Sequence, residues 1–341
     1  MKFFDKQPLV SIIITSYNRA AWLEDAIRSA LAQDYKNLEI IISDNHSEDN
    51  SDTVIKKYVG DSRIKYNRND VNIGMIANGR KATEQLAGGM LVSYISSDDY
   101  LVRNTFISEA VAAFTQFDHL VAYSAINKTL IVISGEEKHN PAFAYKKEHG
   151  FFNCVSEGKK IFNTFRYCHL LNFGGAVFVR KDLIDNDIFR EPNTTYVDLQ
   201  ALLLLALRGD FYFADHVSYV QRFHSQNASM GFADAKKCLL NLSFAEVPYE
   251  EAKKKQIFTE EELLSWRRDI LRPFIINPMI SFYKKGGTEY GEFTAGIQDR
   301  YPEILADIES NIKFRMFKMV YGNKLLRRIY EKLKPVINGK K

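Results

Sequence analysis

The first hundred residues alternate between strand-like and helix-like segments, and this alternation limits the folds that the chain can adopt. The strand-like segments are short, apolar and rich in β-branched residues, which is typical of strands buried on both faces. Strands joined by helices form right-handed crossovers and a largely parallel sheet. We therefore expect an α/β fold. The predicted strands are 10–15, 38–42, 64–66 and 91–95, and the predicted helices are 22–32, 51–58 and 73–86.

Polar segments follow three of these strands, at residues 16–19, 43–49 and 96–100. In a parallel sheet of this kind the ligand lies beyond the carboxyl ends of the strands, which meet at one edge. Carboxylate, hydroxyl and amide groups that converge there suit a ligand with phosphates, a sugar and a divalent cation. The sequence therefore predicts the functional site at this edge.

The rest of the chain is mixed and then helical. Residues 121–126 and 129–133 predict a hairpin, and further strands are expected at 174–179 and 217–223, with an apolar helix at 198–207 between them. From about residue 233 strand signals fade, and Thr259 with Glu262 forms a capping box before an apolar helix. The predicted domains are a catalytic domain at 1–232, divided into 1–104 and 105–232, and a helical region at 233–341.

Composition excludes several classes of protein. The 46 Lys and Arg residues against 42 Asp and Glu give a net charge of +4, too small to indicate nucleic-acid binding. No apolar run approaches the roughly 20 residues of a membrane span. Three separated cysteines, without a C-x-x-C pair, indicate reduced thiols in a cytoplasmic protein.

Six motifs occur in the order found in glycosyltransferase family 2, whose members are nucleotide-sugar-dependent enzymes with the GT-A fold. The chain resembles this family over about residues 8 to 230. We therefore expect a Rossmann-like, mostly parallel central sheet flanked by helices, with a helical C-terminal extension. The motifs are Thr15-Ser16-Tyr17-Asn18-Arg19, Asp44 through Asp49, Asn72-Ile73-Gly74 with Asn78, Ser96-Ser97-Asp98-Asp99, Gly174-Gly175 followed by Val197-Asp198, and Arg222, His224, Asn227 and Ser229.

Asp98 and Asp99 are the expected metal motif. A divalent cation held by carboxylates neutralises the nucleotide diphosphate as the glycosidic bond breaks. The resemblance implies Asp99 as the direct ligand of Mn²⁺ or Mg²⁺, with Asp98 facing the sugar or ribose. His224 would ligate the metal or donate to a phosphate oxygen. The alternative is an Asx turn that caps the helix near Thr105.

The resemblance also implies a set of residues that bind the nucleotide sugar. Asp44 would accept from the nucleobase, and the alternative is a cap on the next helix. Arg80 would contact phosphate through its planar fork of donors, or serve as a solvated helix charge. The complete expected set is Thr15, Tyr17, Arg19, Asp44, Asn72, Asn78, Arg80, Asp98 and Arg222.

Asp198 is the expected general base, at the start of an almost wholly apolar helix. Inverting transfer requires the acceptor hydroxyl to lose its proton as it attacks the anomeric carbon, and a positioned carboxylate can accept that proton. A carboxylate at a helix N-terminus is also a common cap, so both readings stay open. The Gly174-Gly175 pair predicts either a close approach to the sugar or acceptor, or a bulge in the strand.

Charge is concentrated in the last 31 residues. Residues 311–341 contain ten Lys or Arg and a single acid, Glu331, so this tail carries +9 and the rest of the chain −5. Its apolar residues recur at helical spacing. A basic amphipathic helix can lie on an anionic membrane surface, and the alternative is a helix docked on the domain.

Together these features predict a metal-dependent, inverting glycosyltransferase of surface polysaccharide synthesis. The expected donor is a nucleotide sugar, with a UDP-sugar preferred, and the expected acceptor is a glycan or a lipid-linked glycan. We expect the enzyme in the cytoplasm, in peripheral contact with the inner face of the cell membrane through residues 311–341, and with no nucleic-acid partner. The alternatives are a non-catalytic carbohydrate- or nucleotide-binding protein and, with less support, a sugar nucleotidylyltransferase.

Overall fold

The structure is a computed structural model of the 341-residue chain, described here over residues 7–139, 142–189, 195–225, 234–323 and 325–328. Within these residues the chain forms two compact units. The first contains the central sheet and the helices that flank it, and the second is helical. The domain boundary expected at residue 232 stays a proposal.

Four parallel strands form the N-terminal half of the sheet, in the order β3-β2-β1-β4. Their apolar side chains are buried on both faces, as expected from continuous runs such as Ile12, Ile13 and Ile14. The elements are β1 (Val10–Ser16), α1 (Ala20–Leu31), β2 (Leu38–Asp44), α2 (Ser51–Lys56), β3 (Ile64–Arg68), α3 (Met75–Lys81) with a π-helical turn at Ala82–Leu86, and β4 (Leu91–Ser96).

The register of these strands sets up the site. Ser16 lies opposite Asp44, Asp44 lies opposite Arg68, and Thr15 lies opposite Ser96. Because the strands are parallel and end together, the polar segments that follow them leave the sheet at one edge. The expected convergence is therefore found.

The other half of the sheet mixes parallel and antiparallel pairs, and the order continues β4-β9-β6-β10-β5. Strand β10 is parallel to β6, whereas β9 is antiparallel to both β4 and β6. The elements are β5 (Tyr100–Leu101), α4 (Phe106–Gln116), β6 (Leu120–Ile131), β7 (Glu136–His139), α5 (Ala142–Glu148), β8 (Cys154–Ser156), α6 (Gly158–Thr164), β9 (Ala176–Val179), α7 (Arg180–Asp185), α8 (Val197–Ala206) and β10 (Asp210–Phe223).

The hairpin expected within residues 121–133 is wrong. Residues on both sides of its supposed turn belong to the single strand β6, since Asn127 and Lys128 continue the pairing with β10. Asn127 and Lys128 also lack the glycine that a two-residue hairpin turn favours. The turn lies after β6, where Gly135 has a φ of +68° and β7 pairs back on β6.

The second unit is built from helices. The expected capping box is confirmed, because Thr259 Oγ1 accepts from the Glu262 backbone N–H and Glu262 accepts from the Thr259 backbone N–H. The helices that follow the sheet are α9 (Ala235–Asn241), α10 (Ser243–Lys255), α11 (Glu260–Lys285), α12 (Glu289–Arg300), α13 (Pro302–Ser310) and α14 (Ile312–Gly322). In the part of the chain described, no helix is long and apolar enough to cross a membrane.

Candidate active site

Asp98, directly after β4, is the centre of a cluster of charged side chains. Its Oδ2 lies 3.1 Å from His224 Nε2, which follows β10, and 3.5 Å from Arg19 Nε, which precedes α1. The side chain of Arg222 donates to the backbone carbonyl of Asp98 at 3.0 Å. Residues from three distant segments of the chain therefore meet at the carboxyl ends of β4 and β1.

Asp99 is buried, in contrast to its neighbour, and both of its oxygens already accept hydrogen bonds. Tyr219 donates its hydroxyl to Oδ2 at 2.6 Å, and the backbone N–H of Arg222 donates to Oδ1 at 2.8 Å. Burial raises the pKa of the Asp99 carboxyl to about 7. This arrangement ties the loop after β4 to strand β10, and it leaves Asp98 as the carboxylate that faces His224.

Three further residues complete the cluster, and sequence reasoning missed them in this role. The ring of Trp22 stacks on His224 with centroids 4.3 Å apart. Asp25 pairs with the guanidinium of Arg222, which also lies 4.5 Å from the centre of the Tyr100 ring. In the sequence, Trp22 and Asp25 lie within the helix predicted at 22–32, and no local motif links them to residues about two hundred positions later.

The two glycines before β9 pack on the ring of Tyr219. A Cβ at Gly174 would lie 2.7 Å from the Tyr219 hydroxyl, and one at Gly175 would lie 2.5 Å from Tyr219 Cγ. Gly175 also has a φ of +72°, which other residues rarely adopt. These glycines therefore make room for the tyrosine that holds Asp99.

Asp44, at the end of β2, is fully buried. It accepts from the backbone and hydroxyl of Ser47, and Arg68 Nε lies 3.4 Å from its Oδ2. His46 has a φ of +66°, so the loop passes through the left-handed region at this residue. The loop geometry thus holds Asp44 at the sheet edge beside β1.

Asn72 and Asn78 belong to an amide network behind this loop. Asn78 accepts from the Ser43 hydroxyl and donates to the Ser43 carbonyl, while the Asn72 side chain accepts from Asn45 at 2.7 Å. Asn69 connects the two by donating to both Asn45 and Asn78. Their contacts in this structure support the loops, and a direct contact with a nucleotide sugar stays a prediction.

The remaining predicted residues differ in their surroundings. Thr15 lies between Ser43 and Ser96 in the sheet register, and Tyr17 is exposed in the loop that follows. The guanidinium of Arg80 donates to Asp187 at 3.0 Å and to the Phe189 carbonyl. These contacts link α3 to the segment after α7, and the phosphate contact of Arg80 stays a prediction.

Asp198 lies in the first turn of α8, where its carboxylate accepts from the Leu199 backbone N–H at 2.9 Å. The residue at the cap position is Tyr196, so Asp198 is not the N-cap itself. The protein around it raises the pKa of its carboxyl by desolvation, although its side chain remains accessible to solvent, which weakens that effect. Asn227 and Ser229 of the last motif lie outside the described residues.

An open cavity of about 520 Å³ lies beside the cluster. It is lined by residues 18–22 together with Glu48 and Asp49, and so includes Arg19 and Trp22. Volumes of this order are typical of small-molecule sites. The cavity places ligand-sized space next to the side chains that surround Asp98.

The family model described as "Glycosyl transferase family 2" matches residues 11–183, about half of the chain. The chain belongs to this family. The solved structures that share its architecture include S. aureus TarS 1–349 in complex with UDP-GlcNAc, with a TM-score of 0.62 and 18% identity over 85% of this chain and 80% of that one. The mannosyltransferase PcManGT from Pyrobaculum calidifontis, solved with GDP-Man and Mn²⁺, has a TM-score of 0.54 and 13% identity over 95% and 87%. The expected GT-A fold is confirmed.

Two curated proteins are similar over part of the chain. One is GalNAc(5)-diNAcBac-PP-undecaprenol beta-1,3-glucosyltransferase of Campylobacter jejuni, 34% identical over 36% of this chain and 40% of that protein. The other is UDP-Glc:alpha-D-GlcNAc-diphosphoundecaprenol beta-1,3-glucosyltransferase WfaP of Escherichia coli, 42% identical over 28% and 37%. The matched region spans about two fifths of the length of these relatives.

Proposed function

We propose that this family 2 chain is a metal-dependent, inverting glycosyltransferase that transfers a sugar from a UDP-sugar to a hydroxyl of a lipid-linked glycan in surface polysaccharide synthesis. The observation that carries the proposal is the cluster of Asp98, His224, Arg19 and Arg222 at the carboxyl ends of the strands. The relatives from C. jejuni and E. coli, both named for undecaprenol-linked acceptors, support the acceptor class.

The donor would contact two groups of residues at the carboxyl edge of the sheet, one for the nucleobase and one for the diphosphate. Asp44 would accept from the uracil N–H, with Thr15 and Tyr17 lining the same pocket. The guanidinium groups of Arg19 and Arg222 lie near Asp98, where a diphosphate would accept their charge-assisted hydrogen bonds. Both are already held by carboxylates or carbonyls, so their positions are fixed before the donor arrives.

Asp98 and His224 would hold the metal ion. The described residues contain no group of three or more His, Cys, Asp or Glu side chains able to bind a metal. A carboxylate oxygen and an imidazole nitrogen 3.1 Å apart nevertheless fit an ion that takes its other ligands from diphosphate and water. The metal would neutralise the leaving diphosphate. Asp99, predicted as the direct ligand, stays a candidate for that role, and through its hydrogen bonds from Tyr219 and Arg222 it also positions the loop that carries Asp98.

Asp198 would accept the proton from the acceptor hydroxyl. Desolvation raises the pKa of its carboxyl, and the side chain is accessible to an acceptor, as a general base requires. Inversion has separate support, since UDP-glucose carries its sugar in the α configuration and the E. coli relative is named for UDP-Glc and a beta-1,3 product. A positioned base of this kind typically contributes about 10²–10⁴-fold to the rate.

The test is release of nucleotide from UDP-, GDP-, CDP- and dTDP-sugars, measured with Mn²⁺ and with a chelator, in the presence of a crude membrane acceptor fraction. We expect turnover of a UDP-sugar that the chelator abolishes. Asp98→Asn should lose metal-dependent turnover, whereas Asp118→Asn, an exposed Asp after α4, should not. Release of nucleotide from none of the donors would contradict the proposal, and UDP binding without turnover would favour the binding-protein alternative.

The role of Asp198 as the general base is tested by a separate substitution. Asp198→Asn should lower kcat by about 10²–10⁴-fold with little change in KM for the donor. The matched control is Asp215→Asn, an exposed carboxylate in β10 outside the cluster. Full turnover by Asp198→Asn would show that another group accepts the proton.

A further inference from the structure

Helix α14 has two apolar faces, and one of them is packed. Phe314 is buried, and the Phe317 ring lies 5.7 Å from that of Tyr283 on α11. Lys284 lies 5.0 Å from the centre of the Tyr321 ring, and Tyr283 donates its hydroxyl to the Lys318 carbonyl. Residues 314, 317 and 321 thus recur at helical spacing along the side that faces the second unit. This face of α14 therefore packs on α11, which agrees with the alternative expected from the sequence, a helix docked on the protein.

The opposite face of α14 is apolar and exposed. Ile312, Met316 and Met319 are 72%, 56% and 59% exposed, and their spacing of four and three residues aligns them along one side of the helix. We call these three residues the α14 strip. A helix that needed only one face for docking would ordinarily carry polar residues here.

Positive charges border the α14 strip. Lys313 and Arg315 are exposed, and at 100° per residue they lie on either side of the strip. Residues 311–328 include no Asp or Glu, and Arg327 and Arg328 continue the positive charge past the helix. Long basic side chains beside an apolar strip are the arrangement that places their charged ends among phosphates while the strip enters the acyl boundary.

We propose that the α14 strip docks on an anionic phospholipid surface, with Lys313 and Arg315 against the lipid phosphates. A second copy of the chain is a poorer occupant, since pairing this face with itself would bring like charges together at the rim of the contact. Membrane docking would hold the enzyme where a lipid-linked acceptor resides. This purpose rests on the proposed function, whereas the docking itself does not.

The test is co-sedimentation of the full chain with vesicles of phosphatidylcholine alone or mixed with phosphatidylglycerol, without any sugar nucleotide. Binding should require phosphatidylglycerol and weaken as salt is added. Replacing Lys313 and Arg315 by Gln should weaken the partition coefficient by about 25-fold, at about 5-fold for each charge near the surface. The matched control is Lys236→Gln with Arg268→Gln, two exposed basic residues elsewhere in the second unit.

The α14 strip is tested by a variant that combines Ile312→Ser, Met316→Ser and Met319→Ser. The control variant replaces three other exposed apolar residues and combines Met90→Ser, Leu240→Ser and Leu264→Ser. The strip variant should lose at least about 10-fold in vesicle binding and the control should not. Donor turnover with a soluble acceptor should stay equal in both, so a failure of the proposed function would be seen separately. Unchanged vesicle binding by the strip variant, or a loss of self-association in its place, would overturn the proposal.

Discussion

Gly175→Ala tests whether the glycine pair serves Tyr219. At a φ of +72° an alanine would cost roughly 1–2 kcal/mol in backbone strain. Its Cβ would also lie 2.5 Å from Tyr219 Cγ and 2.6 Å from Tyr219 Cβ, well inside the 3.5–4.0 Å of an ordinary carbon contact. Tyr219 is buried and bonded to Asp99, so it has little freedom to move, and overpacking adds about 1–3 kcal/mol. We expect a total loss of about 2–5 kcal/mol.

Gly135→Ala is the matched control, because Gly135 has a φ of +68° but nothing within 4 Å of its Cβ position. It should cost only the roughly 1–2 kcal/mol of backbone strain. Urea unfolding followed by tryptophan fluorescence measures both, in a Trp266→Phe background that leaves Trp22 as the single reporter, in the same unit as both glycines. Equal losses at the two positions, within about 0.5 kcal/mol, would refute the packing argument.

Three other substitutions test separate parts of the structure. Trp22→Leu removes the ring stacked on His224, a contact worth about 0.5–1.5 kcal/mol. The Mn²⁺ concentration for half-maximal turnover should therefore rise about 2- to 10-fold. An unchanged concentration would contradict the idea that Trp22 positions His224. Asp44→Asn should weaken UDP binding about 10- to 100-fold by calorimetry, because a charge-assisted hydrogen bond becomes a neutral one, and wild-type affinity would remove Asp44 from the nucleobase site. Lys146 is buried beside Phe152 and Phe213, which lowers its pKa from 10.5 to about 8. The unfolded chain keeps that proton up to pH 10.5. The free energy of unfolding of the wild type should therefore rise relative to that of the Lys146→Met variant as pH increases from 8 to 10.5. At pH 7 the variant should be the more stable by up to about 3 kcal/mol in urea unfolding, and a difference that does not vary with pH would contradict this reading.

The sequence predicted the elements whose signal is local. Strands β1, β2 and β4 were found because both of their faces are buried, which leaves a continuous apolar run with polar residues at its end. The mistaken hairpin within β6 and the missed first half of β10 have the same origin. The pairing of β6 with the later part of β10 spans about 90 residues, and residues 211–213 of β10 pair with β8, more than 50 residues earlier, so the local pattern contains neither pairing.

The candidate site was predictable in outline for a related reason. Parallel strands bring the segments after them to one edge, so Asp44, Asp98 and Asp99 could be placed together from their order alone. Trp22, Asp25 and Tyr219 could not, since each acts through a partner more than a hundred residues away. The family's motifs include the residues predicted to face the ligand, whereas Trp22, Asp25 and Tyr219, which contact some of those residues, lie outside them.

The sequence by itself determined the α/β class, the edge at which the site forms and the charge of the tail, because these follow from periodicity and composition. Only the tertiary structure decided between neighbours that look alike in the sequence. Asp98 and Asp99 are adjacent carboxylates, yet Asp99 is enclosed by Tyr219 and Arg222 of β10 while Asp98 faces His224. Helix α14, in the described part of the tail, likewise has both a packed and an exposed apolar face. Burial and hydrogen-bond partners are properties of the assembled chain, and they set the chemical role of each group.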